Sequence, residues 1–220
     1  MIVHPVSAGL SMAYLVLDER SALLVDAGAP GQADRILGAL EALGRNRLSL
    51  IFITHAHFDH YGSAAEIRRR TGAPIAIHQD DAAAMAAGRT ELGSTRGWGR
   101  LMAGLLPVAE RLLRPEPTPP DLLLEDGATL DRFGFPARVV HTPGHTAGSA
   151  SLLTEDGHAF VGDLISTSGR PHPQRMYAQD WAAIPHSIAR LAQFGPRLVH
   201  PGHGRRPLPG ERLWEILPVA

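Results

Sequence analysis

The sequence predicts an α/β (α+β) fold in which two β-sheets face each other with helices outside. Three observations carry this: strand-length apolar segments alternate with helical patterns, the alternation occurs twice, and a helical segment ending in prolines separates the two stretches. In the first stretch, residues 12–17 and Ala22–Val25 read as neighbouring strands joined by the polar turn Asp18-Glu19-Arg20-Ser21. Residues 32–43 read as an amphipathic helix, because Ile36, Leu37, Leu40 and Leu43 share a face, and Gly44 is its stop. Leu50–Ile53 follows as a buried strand, residues 63–71 as a helix ended by Gly72, and residues 74–77 as another strand. The first half is therefore β-β-α-β-α-β. After Leu130 come strand-like segments at 137–140, 150–153 and 159–161, a helix near 181–194 and a strand at 198–200, with no visible sequence repeat linking the halves.

Between the halves, residues 82–87 continue a helix. Trp98, Leu101, Met102, Leu105, Leu106, Val108, Leu112 and Leu113 then form a second, strongly apolar helical stretch. Pro115, Pro117, Pro119 and Pro120 end it in an extended connection. This segment reads either as a lid or pocket wall for an apolar substrate, or as a helix packed on the domain or forming a homodimer interface. The chain is expected to be a single domain, 1–220, with a helical insertion at about 80–120.

Composition narrows the function classes. At 220 residues the chain can build one domain around two packed sheets. A net charge of −1 leaves no electrostatic footprint for nucleic acid. The basic runs Arg68-Arg69-Arg70 and Arg205-Arg206 read as a solvated helix face and a loop. With no cysteine there is no disulfide framework and no thiolate ligand. No secretory leader pattern and no apolar run of membrane-spanning length stand out, so the expectation is a cytoplasmic protein with a small-molecule substrate and no membrane or nucleic-acid partner.

The chemistry is concentrated in Thr54-His55-Ala56-His57-Phe58-Asp59-His60, which follows the apolar run Leu50–Ile53. Imidazole nitrogens and carboxylate oxygens at this density suit zinc, iron or manganese. On an extended strand end His55 and His57 point the same way, whereas Asp59 and His60 fall where the chain turns into a helix and can face a second ion. Three glycine-marked loops add further donors: His145 in Thr142-Pro143-Gly144-His145-Thr146, Asp163 after Gly162, and His203 in Pro201-Gly202-His203-Gly204. Glycine beside each lets the backbone turn tightly and approach closely.

On these residues the chain resembles the metallo-β-lactamase superfamily in its dinuclear, hydrolytic form. The match runs from about Val25 to His203 in the family's order. The resemblance implies a four-layer αββα sandwich, with ligands from both halves meeting along one sheet edge. It implies two divalent metal ions: His55, His57 and His145 on the first, Asp59, His60 and His203 on the second, and Asp163 bridging both. Zinc is favoured by the hydrolytic reading, and iron or manganese also suits the donor set. Asp26, in Leu24-Val25-Asp26-Ala27-Gly28, matches the family's early Asp-x-Gly and is expected to orient ligands by hydrogen bonding. His4, His78, His141, His158, His172, His186 and His200 are expected not to be ligands.

Two divalent ions, two ligand aspartates and one bridging hydroxide leave a site near +1, which an oxyanion on a bound carbonyl would cancel. The expected reaction is attack of that hydroxide on an ester, thioester or lactone carbonyl, with Asp59 accepting its proton. Glyoxalase II enzymes resemble this metal site but add a glutathione-holding C-terminal region, whereas only residues 205–220 follow the last ligand here. Superfamily lactonases often carry a tyrosine just after the bridging Asp, where this chain has Leu164-Ile165-Ser166. The alternatives are a mononuclear iron persulfide dioxygenase-like oxidoreductase, which does not need His203, and a non-catalytic metal-binding protein, which would typically have lost ligands. The loop 166–177 is expected at the pocket rim, with Arg170, His172, Gln174, Arg175 and Tyr177 as candidate substrate contacts.

Overall fold

A computed structural model describes residues 1–19, 21–113 and 115–217. Its first sheet has six strands in the order Ile2–Ala8, Ser11–Leu17, Ala22–Val25, Leu50–Ile53, Ile75–His78 and Leu122–Leu124. The first three pair antiparallel and the rest parallel. The second sheet has the order Leu208–Pro209, Leu198–His200, His158–Phe160, Ala150–Thr154 and Ala137–His141. Only its pairing of His158–Phe160 with Leu198–His200 is parallel.

Period-two alternation sorts each strand between two cores. Leu23, Val25, Leu50 and Phe52 point between the sheets and meet Phe135, Val139, Leu152 and Phe160 of the second half. Leu24, Ile51, Ile53, Ile75 and Ile77 point the other way, under the helices Ala33–Ala42 and Ala64–Thr71. Covering both faces explains why the central strands are apolar throughout rather than alternating. Helix Ala183–Gln193 covers the outer face of the second sheet through Ile184, Ile188 and Leu191 against Val140, Ala159 and Val199. Helix, sheet, sheet and helix are thus stacked in four layers, as the sequence predicts.

The strand Ile2–Ala8 is absent from the sequence-based expectation. It lies at the sheet edge with Pro5 inside it and is half exposed, so its pattern alternates weakly. Leu122–Leu124 is a second addition, an edge strand in what reads as an extended proline-rich connection. The Arg68-Arg69-Arg70 run is an exposed helix face paired with Asp121, Glu116, Asp34 and Glu66. Among the described residues no helix is long and apolar enough to cross a membrane.

The insertion behaves differently from the other helices. Gln79–Ala86 continues directly from Ile75–His78, and the His78 side chain caps it by accepting from the Asp80 amide. The following helix, Gly99–Leu113, buries only Gly99. Trp98, Leu101, Met102, Leu105, Val108 and Leu112 are all more than half or about half exposed, although the helix is strongly apolar.

The second sheet also holds a buried histidine pair: His200 Nε2 lies 2.8 Å from His158 Nδ1, and Arg197 reaches His158 Nε2 at 2.7 Å. Burial, then His158 and Arg197, push the His200 pKa down to about 4. Below about pH 6.5 the unfolded chain takes a proton here that the folded chain refuses until about pH 4, so stability falls as pH drops through that window. Urea unfolding of His200→Gln should therefore show a shallower loss between pH 6.5 and 4 than the parent, a difference on the order of 2 kcal/mol; parallel curves would contradict this.

Candidate metal centre

The candidate donors sit where strands end, at one edge of the sandwich. His55 and His57 follow the strand Leu50–Ile53, and the turn Phe58–Tyr61 carries Asp59 and His60. His145 follows Ala137–His141, Asp163 follows His158–Phe160, and His203 follows Leu198–His200. The seven converge in three overlapping groups: His55, His57 and His145; His55, His60 and Asp163; Asp59, His60 and His203. Within each group the ligand atoms lie within 4.8 Å of one another. Asp163 stands between the halves, with Oδ2 3.5 Å from His145 Nε2 and 3.2 Å from His203 Nε2, and Oδ1 3.3 Å from His60 Nε2.

Each histidine hands its outer nitrogen to a fixed partner. His55 Nδ1 bonds Thr54 Oγ1 at 3.0 Å, and His57 Nε2 faces the Glu91 carbonyl at 3.3 Å. His60 Nδ1 bonds Asp26 Oδ2 at 2.8 Å, His145 Nδ1 faces the Tyr177 carbonyl at 3.2 Å, and His203 Nδ1 faces the Leu10 carbonyl at 3.1 Å. A carbonyl can only accept, so it selects the tautomer that leaves the inner nitrogen as an unprotonated acceptor. His57 Nδ1 and His145 Nε2 face each other at 3.0 Å, and the Gln174 side-chain amide nitrogen lies 3.1 Å from His145 Nδ1. His55 Nε2, His60 Nε2 and Asp163 Oδ1 are three of the five buried side-chain polar atoms without a hydrogen-bond partner among the described residues. Buried polar atoms left without a partner are costly, and a bound cation would satisfy them. The donor set therefore fits bound metal.

The electrostatics divide the centre in two. Burial, then the neighbouring histidines His60 and His145, hold His55 well below the ordinary histidine value, and burial and His57 take His145 down to about 3. This half is neutral and ready to ligate. In the other half burial opposes charge on His60, but Asp59, Asp163 and Asp26 outweigh it and raise its pKa well above normal. Asp163 draws His203 up to about 9. Burial resists charge on Asp163 as well, yet His203 and His60 keep its carboxyl ionised far below the usual range. In the second half the carboxylates thus hold protons on His60 and His203, positive charge that a bound cation would replace.

Two aspartates build the frame. Asp26, at φ +56°, is the one non-glycine residue with positive φ among the described residues. Its carboxylate accepts from the Thr54 amide at 2.8 Å, from Thr54 Oγ1 at 2.9 Å and from His60, tying two strand ends to one ligand. This agrees with the orienting role expected of it. Asp81 is the residue the sequence reading missed. It accepts from the amides of Ala56 and Gly148 and the hydroxyl of Thr146, pinning the loops that carry His55, His57 and His145. In sequence it looks like an ordinary acidic residue in the first turn of a helix, and its partners are 25 to 67 positions away. Gly202 is needed for close approach: a Cβ there would lie 2.5 Å from His60 Cε1 and 2.6 Å from Asp163 Oδ1.

The centre opens into a cleft of about 390 Å³ lined by His57, Asp59, Asp163 and His203 on one side and by the insertion helix on the other. Of the expected rim residues, His172, Gln174, Arg175 and Tyr177 line the cleft and Arg170 does not. The Tyr177 phenol is kept neutral, because burial, then Asp163 and Asp59, raise its pKa. His141 and His200 lie outside this cluster, though His141 forms with His78 and Asp80 a separate group whose donor atoms lie within 4.8 Å of one another. His141 bonds the Ala147 carbonyl and stacks on His78 at 4.0 Å.

The sequence pattern of the metallo-beta-lactamase superfamily matches residues 6–203, and the chain belongs to that superfamily. The probable metallo-hydrolase YflN of Bacillus subtilis (strain 168) is 29% identical over 225 residues, covering 92% of this chain and 83% of YflN. The probable polyketide biosynthesis zinc-dependent hydrolase BaeB of Bacillus velezensis is 30% identical over 210 residues, covering 93% of this chain and 77% of BaeB. Among solved structures, TTHA1623 in a di-iron-bound form superposes with a TM-score of 0.73 at 27% identity, covering 98% of both chains. A metal-dependent hydrolase of this superfamily is the class that fold, donor cluster and relatives define together.

Removing the Asp26 carboxylate frees His60 and Thr54 together. Asp26→Ala should weaken metal retention by about 10- to 100-fold, measured by competition with a chromophoric chelator. Unchanged retention would show that Asp26 shapes only the turn.

Proposed function

We propose that the protein is a dinuclear metal-dependent hydrolase acting on an ester, thioester or lactone carbonyl of a small molecule. The observation that carries this reading is a pair of donor trios, His55, His57, His145 and Asp59, His60, His203, with Asp163 Oδ2 3.5 Å from His145 of one and 3.2 Å from His203 of the other, beside a largely apolar cleft. His55, His57 and His145 would hold one ion, Asp59, His60 and His203 the other, with Asp163 serving both. When bound, such a pair lowers the pKa of a water molecule and polarises a carbonyl as a Lewis acid. Zinc is the proposed metal, supported by the nitrogen-rich donor set and by the zinc-dependent relative.

The chain's own groups do the rest. Both Asp59 and Asp163 line the cleft, but Asp163 is 3% exposed and flanked by three histidines, whereas Asp59 is 15% exposed. Asp59 is therefore the carboxylate placed to accept a proton from the attacking water and deliver it to the leaving group. The Asp59 backbone carbonyl is held by the Ser11 hydroxyl, which fixes the turn from which its side chain projects. A mononuclear oxidoreductase would not need a donor at His203, yet His203 Nε2 stands 3.5 Å from Asp59 and 3.2 Å from Asp163.

Asp59→Asn separates proton transfer from ligation. Across a panel of aryl esters, acyl thioesters and lactones, kcat should fall by at least about 100-fold while metal content by elemental analysis stays near that of the parent. Loss of metal in proportion to turnover would leave Asp59 as a ligand alone.

A further inference from the structure

The insertion helix is apolar without being buried, which calls for an occupant. Met102, Leu105, Leu106 and Ala109 all line the cleft, and their i, i+3, i+4, i+7 spacing places them on one helical face. That face looks across the cleft at the metal-centre residues, with Phe58 and Met176 lining the space between. The wall is anchored at its start. The Met176 carbonyl accepts from the Arg96 amide at 2.8 Å, and a Cβ on Gly99 would meet the same carbonyl at 2.0 Å. The Trp181 indole, stacked under Arg96 at 4.1 Å, donates to Ser94 in the ribbon that joins the insertion to the rim loop.

We infer that the cleft binds an uncharged acyl chain of medium length, laid along the Met102, Leu105, Leu106 and Ala109 stripe with its carbonyl over the donor cluster. This rests on the hydrolase reading and names its substrate class. At roughly 30 Å³ per non-hydrogen atom, the 390 Å³ cleft holds about a dozen such atoms, the size of an octanoyl or decanoyl group with its carbonyl. The charge pattern points the same way. Arg175 is the one arginine among the lining residues described, too little to neutralise the two carboxylates of a glutathione thioester. The Ser166, Ser168, His172 and Gln174 side of the cleft is left for a polar leaving group at its mouth.

The test is a series of p-nitrophenyl esters from acetyl to dodecanoyl, hydrolysed by the zinc-loaded full chain and by Leu105→Trp, which fills the stripe. Leu101→Ser, which alters a residue that does not line the cleft, serves as control. The expected result is a rise in kcat/KM of about threefold per methylene up to eight or ten carbons. Leu105→Trp should move the optimum to shorter chains with metal content unchanged, and Leu101→Ser should follow the parent. Hydrolysis that is flat with chain length, or a profile that Leu105→Trp leaves untouched, overturns the acyl pocket while the hydrolase reading stands. If the fully loaded protein hydrolyses neither these esters nor the matching acyl thioesters and lactones, the hydrolase reading falls, and calorimetric titration with decanoate decides the pocket separately. Binding at least 100-fold tighter than acetate, and lost in Leu105→Trp, supports it; equal binding overturns it.

Discussion

Five imidazole rings and two carboxylates are crowded together at one edge of the sandwich, and that crowding organises the rest of the molecule. His57 and His145 face each other at 3.0 Å, and three further polar atoms of the cluster lack a hydrogen-bond partner among the described residues. Such an arrangement costs several kcal/mol unless cations fill it. It is maintained because each outer nitrogen or carboxylate is clamped by a backbone carbonyl, by Thr54 or by Asp26. The layered sandwich gives those clamps rigid supports, since every candidate ligand leaves the end of a strand buried in one of the cores.

The two halves of the chain depend on one another through this edge. The Met12 amide and Tyr14 hydroxyl of the first sheet donate to the carbonyls of Gly202 and Pro201, beside the last candidate ligand. Asp81, from the first half, grips the loop of His145 in the second. Folding the sandwich and assembling the centre are therefore the same event.

Much of this was legible in the sequence because the relevant signals are local. Leu50–Ile53 and the helix at Ala64–Thr71 announce themselves through apolar runs and a terminal glycine, and the donor motifs cluster within a few positions of strand ends. What escaped notice is non-local or weakly patterned. Asp81 acts on residues far away in sequence, and Ile2–Ala8 gains its order from a neighbouring strand rather than from its own alternation. The insertion lay in between: its helix was readable, but whether it formed a wall or an interface depended on which face looks at the metal centre. Met102, Leu105, Leu106 and Ala109 line the cleft, and the outward face bearing Leu101 and Leu112 is exposed.

The central claim is that two ions share Asp163, and metal stoichiometry tests it most directly. Elemental analysis of protein purified without added metal, beside His203→Ala, should give two zinc or manganese ions per chain, falling toward one in the variant. A single, tightly held iron in both proteins would contradict the account and place the chemistry with oxygen-dependent enzymes.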